Sequence, residues 1–260
     1  MPEVRVVASD LDGTLLRSDG TVSDRTRRAL DAVWSAGVMT VFVTARPPRW
    51  LDHLAEHVGE HGIVICGNGA FVYDVPRRDV VAEHPFDPGH LLDLVRDLRG
   101  AVPGIGFAAE RSDGMGREVG FVDPEEDAYV LMDHTGTTDR PVGKLLARST
   151  EVDAVDFHRL VTAVVTDRAE LGFSGVMGLA EMTAPGVTKA SGLAAWCAER
   201  GVTPDQVWAC GDMPNDLPML RWAGRSFAVA NGHPEAHAAA DEVIGTNDDD
   251  AVATVLERLL

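Results

Sequence analysis

The chain has little cysteine, little positive charge and no long apolar run, and each shortage narrows its reading. Three cysteines, Cys66, Cys197 and Cys210, stand in 260 residues. No two share the short spacing of a zinc site, and an odd number argues against a disulfide framework. Cys66 and Cys210 lie in apolar runs and read as small core residues. Lys and Arg total 23 against 41 Asp and Glu, a formal net charge of −18. Such a surface repels a phosphate backbone, so nucleic acid is not an expected partner. The apolar runs fall far short of the ~20 residues that span a bilayer, so membrane attachment is not expected either. The opening MPEVRVV leads almost at once into a strand-like run, with no secretion signal before it. With unpaired cysteines, that makes the cytoplasm the expected location. Core-forming residues are not scarce: 45% of the chain is hydrophobic, enough to bury a full core.

The apolar residues fall into an alternating rhythm. VRVVAS (Val4–Ser9) reads as a buried strand. Ser23 can cap a helix whose Ala29, Leu30, Val33 and Trp34 share one face, and Gly37 ends it. VMTVFVTA (Val38–Ala45) is a second strand. Pro47 and Pro48 can open another helix, and IVIC (Ile63–Cys66) is a third strand. Apolar strands alternating with helices predict a parallel sheet covered on both faces. Gly67–His84 reads as a hairpin. From about 84 to 184 the pattern becomes mixed, with helices at Pro88–Arg99 and near Val152–Val165. Strand-like Val142–Arg148 and Gly175–Thr183 flank the second of these, and Arg111–Gly116 makes a glycine-rich turn. The first rhythm then resumes: a helix over Lys189–Arg200, a strand over Gln206–Asp212, a short helix over Asn215–Trp222, a strand over Ser226–Ala230 and a helix from Asp248. The expected fold is therefore α/β, a Rossmann-like doubly wound parallel sheet with an inserted α+β cap. Residues 1–83 and 185–260 would form the core and 84–184 the cap.

Ligands of open α/β sheets bind beyond the carboxyl ends of the strands. Polar residues collect there: Asp10 and Asp12 after the first strand, Thr44 and Arg46 after the second, Lys189 at a helix start, and Asp212, Asn215 and Asp216 after a late strand. Four acids converging repel one another unless a cation sits among them, and carboxylate oxygens suit Mg²⁺. Lys189 and Thr44 would face the anion that Mg²⁺ helps to hold, and Gly13 permits the sharp turn that aims backbone N–H groups at it. One carboxylate can attack phosphorus, and a second can protonate the leaving oxygen and later deprotonate water. Strand alternation would let Asp10 and Asp12, two residues apart, address one centre.

In this order, DLDGTLL, VTAR, TKASGL and GDMPNDLPML resemble the four motifs of the haloacid dehalogenase (HAD) superfamily. The stretches NGA (Asn68–Ala70) and Val229–Leu259 resemble its Cof-type sugar phosphatases, and the likeness covers essentially the whole chain. The resemblance implies Asp10 as nucleophile and Asp12 as general acid/base. It implies Mg²⁺ held by the side chains of Asp10 and Asp212 and the backbone carbonyl of Asp12, with Asp216 orienting a water on the metal. Thr44, Lys189 and Asn215 would hold phosphate, helped by the N–H groups of Leu11 and Ala45. Arg46 is a candidate substrate contact; Ala45 stands where the family motif usually has glycine. The 34 residues from Asp10 to Thr44 leave no room for a helical cap of the kind in phosphoglycolate phosphatases and β-phosphoglucomutase. The 145 from Thr44 to Lys189 do leave roughly 100 for an α/β cap that excludes water.

The function expected is Mg²⁺-dependent hydrolysis of small phosphate monoesters, sugar phosphates foremost. The rivals are a phosphosugar mutase of the phosphomannomutase kind and a phosphometabolite-binding protein without catalysis. Glu110, Arg111 and Asp113 are candidate cap contacts to substrate. His53, His57 and His61, spaced along a helix, read as a solvated face, and Trp34, Trp196, Trp208 and Trp222 as packing at the core or its rim. The acidic run at 247–251 reads as a helix start.

Overall fold

In the first strand, β1 (Val6–Ser9), every residue is buried, because both faces of the sheet it enters are covered. A computed structural model describes residues 3–52, 54, 62–118, 120–121, 130–131, 140–172 and 176–260. Beside β1 lie β2 (Met39–Val43) and β3 (Ile63–Cys66) on one side and β12 (Val207–Gly211), β13 (Arg225–Val229) and β14 (Glu242–Ile244) on the other. The order is β14-β13-β12-β1-β2-β3, all parallel. The hairpin β4 (Phe71–Asp74) and β5 (Asp79–Glu83) extends the β3 edge in antiparallel fashion.

Side chains alternate across this sheet. Val7, Phe42, Val64 and Cys66 pack with Leu30 and Val33 of α1 (Asp24–Ser35) and with Val252, Val255 and Leu256 of α7 (Ala251–Glu257). Val6, Ala8, Val41, Val43 and Ile65 pack on the opposite side. Their partners there include Leu193 and Trp196 of α4 (Lys189–Ala198), Met219 and Leu220 of α5 (Leu217–Trp222), and Ala236 of α6 (Pro234–Ala239). Ser23 caps α1 as its sequence predicts, accepting from Thr26 N–H. Trp34 does not join the apolar face; it is 40% exposed.

A second sheet runs in the order β10-β11-β9-β6-β7-β8. Its strands are β6 (Ile105–Arg111), β7 (Gly114–Arg117), β8 (Val130–Leu131), β9 (Lys144–Ser149), β10 (Glu170–Gly172) and β11 (Ala180–Thr183). It is antiparallel except between β7 and β8. Phe107, Ala109, Leu145, Ala147 and Met182 face α2 (Pro88–Ala101) and α3 (Ala154–Val165). The alternate residues Ala108, Glu110, Lys144, Leu146 and Glu181 take the other face. A separate sheet of this kind suits a cap over the first.

Several elements differ from expectation. After Pro47, a short 3₁₀ turn covers Pro48–Trp50; His53, His57 and His61 lie outside the described residues. Strand β14 and helix α6 are additions to the expected elements. The last helix begins at Ala251 rather than Asp248, because Thr246 caps a 3₁₀ turn and Asp250 then takes a left-handed φ of 57°. Arg111–Gly116 holds the hairpin turn between β6 and β7. No helix among the described residues is long and apolar enough to cross a membrane.

Candidate active site

The chain leaves β1 at Asp10 and enters a wide turn over Leu11–Leu15. The N–H groups of Leu15 and Leu16 reach back to the carbonyls of Asp10 and Leu11, at 3.3 and 2.8 Å. Asp10 and Asp12 are therefore not strand neighbours on one face, as simple alternation would make them. Gly13, at φ 78°, turns the chain against Asp212, and a Cβ there would lie 2.5 Å from Asp212 Oδ2. The next residue, Thr14, donates its hydroxyl to Asp212 Oδ1 at 3.0 Å. Thr14 is a site residue that motif reasoning passes over, although it closes the DLDGT stretch.

Asp212 follows β12, the strand beside β1, and Asp10 N–H donates to the Cys210 carbonyl at 3.0 Å. Lys189 opens α4 behind the cap made by Thr188, whose hydroxyl accepts from Ser191 N–H. The Lys189 side chain is only 2% exposed. Its Nζ donates to Asp10 Oδ1 at 2.6 Å and to Asp216 Oδ1 at 2.7 Å. The other oxygen of Asp216 accepts from the N–H groups of Asp212 and Met213, at 3.1 and 3.0 Å. Asp216 thus spends both oxygens within the protein.

Carboxylate oxygens of Asp10, Asp212 and Asp216 lie within 4.8 Å of one another. Burial drives the Asp10 carboxyl well above its ordinary range; Lys189 opposes this, while Asp216 and Asp212 add to it. Burial pushes Asp212 up to about 6, with Asp216 contributing and the Thr14 hydroxyl pulling the other way. Burial pulls Lys189 down, but Asp10 and Asp216 outweigh it and hold the ammonium above its usual range. Three buried carboxylates thus share one ammonium. That donor set fits a hard divalent cation, and Asp10 and Asp212 are the members with oxygens to offer it.

The second strand supplies the opposite wall. Thr44 is buried, its hydroxyl accepts from Arg46 N–H at 3.1 Å, and its carbonyl accepts from Asn68 N–H at 3.1 Å. Asn68, at φ 57°, orders the turn after β3 and faces Asn215, whose Nδ2 lies 3.4 Å from Asn68 Oδ1. Asn215 Oδ1 is buried without a hydrogen-bond partner among the described residues. Arg46 grips Asp12 in a bidentate pair, Nε to Oδ2 at 2.8 Å and Nη2 to Oδ1 at 2.5 Å. The resemblance makes Arg46 a substrate contact and Asp12 a general acid/base without joining the two, so this pairing is a new element.

A cavity of about 330 Å³ joins these groups. Asp10, Asp12, Thr44, Ala45, Arg46, Lys189 and Asn215 line it from below. Asp212 and Asp216 are buried beside Asp10, and the Leu11 side chain belongs to the core. Glu110, Lys144, Leu146 and Glu181 line the cavity from the second sheet, Leu179 lines it from just before β11, and Arg49 and Trp50 line it as well. Lys144 Nζ donates to Glu181 Oε1 at 2.5 Å and to the Ala45 carbonyl at 2.9 Å. Arg49 donates to both oxygens of Glu110, at 3.1 and 2.8 Å. Of the three expected cap contacts only Glu110 lines the cavity; Asp113 is exposed and pairs with Arg140. Lys144 and Glu181 are additions to the expected set, although each stands beside apolar residues in its strand.

A doubly wound sheet with an acid cluster and a lysine at its strand ends, under a second sheet, defines a hydrolase of the phosphoryl-transfer kind. The family model for haloacid dehalogenase-like hydrolases matches residues 7–256. The chain belongs to that family, in its Cof-type branch, and is a phosphoric monoester hydrolase. One relative, the 5-amino-6-(5-phospho-D-ribitylamino)uracil phosphatase YcsE of Bacillus subtilis, is 25% identical over 98% of this chain and 96% of its own. The phosphoglycolate phosphatase of Natronomonas pharaonis is 29% identical over 98% and 97%. Among solved structures, the HAD-superfamily phosphatase BT1666 of Bacteroides thetaiotaomicron shares the fold, with a TM-score of 0.82 at 22% identity, covering 99% of this chain and 95% of that one.

Proposed function

We propose that the protein is a Mg²⁺-dependent phosphatase that hydrolyses small phosphate monoesters, sugar phosphates foremost, through an aspartyl phosphate on Asp10. The observation that carries this is the buried group of Asp10, Asp212 and Asp216 around Lys189, at the floor of a cavity that Thr44 and Asn215 also enter. Asp10 and Asp212 would hold Mg²⁺ together with the Asp12 carbonyl, and Asp216 would support them through its bonds to Lys189 and the backbone. When bound, the ion supplies positive charge to offset the carboxylates and the phosphate oxygens.

Asp10 attacks phosphorus through a carboxylate oxygen while Lys189 fixes its Oδ1. Lys189, the Thr44 hydroxyl, the Asn215 side chain and the N–H groups of Leu11 and Ala45 orient the phosphoryl oxygens. Asp12 gives a proton to the departing oxygen and then takes one from the water that cleaves the aspartyl phosphate. Arg46 holds the Asp12 carboxylate in one orientation between these roles. Residues 84–184 act as the lid: Lys144 reaches the Ala45 carbonyl and Glu110 reaches Arg49, so the closed cap excludes water from the reacting centre.

The test is phosphate release from a panel of sugar and nucleotide monophosphates, with Mg²⁺ and with chelator, beside Asp10→Asn. Release that needs Mg²⁺ and disappears in the variant supports the reading. A folded, Mg²⁺-binding protein that releases no phosphate from any compound contradicts it. Transfer between sugar positions with a bisphosphate primer would instead establish the mutase.

A further inference from the structure

Among the described residues, four cations line the cavity, and each one faces a carboxylate. Lys189 pairs with Asp10 and Asp216, Arg46 with Asp12, Arg49 with Glu110, and Lys144 with Glu181. The first two pairs belong to the phosphoryl end. The last two form the wall that a leaving group meets. We propose that this charge-balanced wall selects a neutral, hydroxyl-bearing leaving group against an anionic one, with Glu181 as the residue that decides. The proposal rests on the phosphatase reading and deepens it.

Sheet register builds the wall. Glu110 on β6 stands opposite Lys144 on β9, and Leu146, two residues on, stands opposite Glu181 on β11. All four side chains therefore share the face turned toward the cavity. Lys144 Nζ uses two hydrogens, on Glu181 Oε1 and the Ala45 carbonyl, and keeps a third. Glu181 is buried, lines the cavity, and its Oε2 has no hydrogen-bond partner among the described residues. A hydroxyl suits both groups: it donates to Glu181 Oε2 and accepts from Lys144. Leu146, Leu179 and Trp50 offer apolar surface to its carbon chain.

A carboxylate or a second phosphate meets Glu110 and Glu181 instead. It can accept the third hydrogen of Lys144, but there it lies against the charges of both glutamates, and any stronger hold on Lys144 or Arg49 weakens that cation's pairing with a buried glutamate. Names of relatives do not decide the matter, because they include both a phosphoribityl compound and phosphoglycolate.

The experiment measures kcat/KM for matched pairs: glucose 6-phosphate against 6-phosphogluconate, and fructose 6-phosphate against fructose 1,6-bisphosphate. p-Nitrophenyl phosphate reports the phosphatase chemistry itself. The neutral member should lead by about tenfold or more in the wild type, and Glu181→Gln should narrow that ratio about tenfold by freeing Lys144 from its countercharge. The ratio needs no variant, so a poorly folding Glu181→Gln would not shelter the proposal. Acidic members turned over as well as or better than neutral ones, no hydrolysis of either while p-nitrophenyl phosphate is cleaved, or an unchanged ratio in a folded variant overturns it. If p-nitrophenyl phosphate is also untouched, the phosphatase reading fails and this proposal falls with it.

Discussion

Asp212 carries a pH dependence whose sign follows from its surroundings. Burial raises its carboxyl from an ordinary value of 3.8 to about 6, and Asp10 moves in the same direction. Between those values the folded chain keeps a proton that the unfolded chain has released. Stability contributed by Asp212 therefore falls as pH rises through that window, and the loss is complete above it. Thermal melts of the metal-free protein should show Asp212→Asn gaining on wild type between pH 5 and pH 7.5. Mg²⁺ should raise the wild-type Tm more at pH 7.5 than at pH 5, since protons compete for the same oxygens. Equal Mg²⁺ shifts at both pH values would remove Asp212 from the metal site. Gly13 makes a second prediction at this scale. In Gly13→Ala the new Cβ collides with Asp212 Oδ2 at a left-handed φ, so stability should drop by more than about 1 kcal/mol and the Mg²⁺ requirement should rise. Denaturant melts and Mg²⁺ titration of activity check both. Arg46→Ala should separate the two properties. Its partner Asp12 has a side chain 55% exposed, so the ion pair is worth at most about 1 kcal/mol, while kcat should fall at least about tenfold as Asp12 loses its orientation. A Tm near wild type with reduced kcat is the expected result.

Element ends place the chemistry, and α4 shows how. Its first residue is Lys189, and the turn after β3 presses directly against its start. A Cβ on Gly69, at φ 102°, would lie 2.2 Å from the Thr188 carbonyl oxygen. Gly69→Ala should therefore push the α4 N-terminus outward, carry Lys189 off Asp10 and lower kcat far more than KM. Steady-state kinetics would show it, and an unchanged kcat would separate the turn from the site. Elements of this kind are legible in proportion to their local signal. Strands β1, β2, β3, β12 and β13 are rich in apolar residues, so their carboxyl ends, and with them Asp10, Thr44 and Asp212, stand out in the amino-acid sequence. Helix α6 and strand β14 leave little trace there, because six and three residues are too few to repeat a helical or strand period. Lys144 and Glu181 escape notice because the strand partners that bring them together are set by tertiary register, 37 residues apart in the chain. Thr14 gains its role only through the approach of Asp212 from 198 residues away.

Across the whole molecule, two sheets divide the labour. The parallel sheet gathers its strand ends into one anionic floor, and the second sheet lays a polar stripe above it while turning its apolar face to α2 and α3. Lys144 reaches from the second to the Ala45 carbonyl and Glu110 to Arg49, while Gly143 packs closely against Phe71. The proposed chemistry turns on one event above this floor, formation of the bond between phosphorus and Asp10. Acid quench of the enzyme during turnover, followed by mass mapping of its peptides, tests that bond most directly. A phosphoryl group is expected on the peptide bearing Asp10, absent from Asp10→Asn, and gathered in larger amount in Asp12→Asn when the substrate is p-nitrophenyl phosphate, whose leaving group needs no acid, because that variant lacks the base for hydrolysis. Steady phosphate release with no phosphorylated peptide in either enzyme, or with the phosphoryl group on a residue other than Asp10, would contradict it.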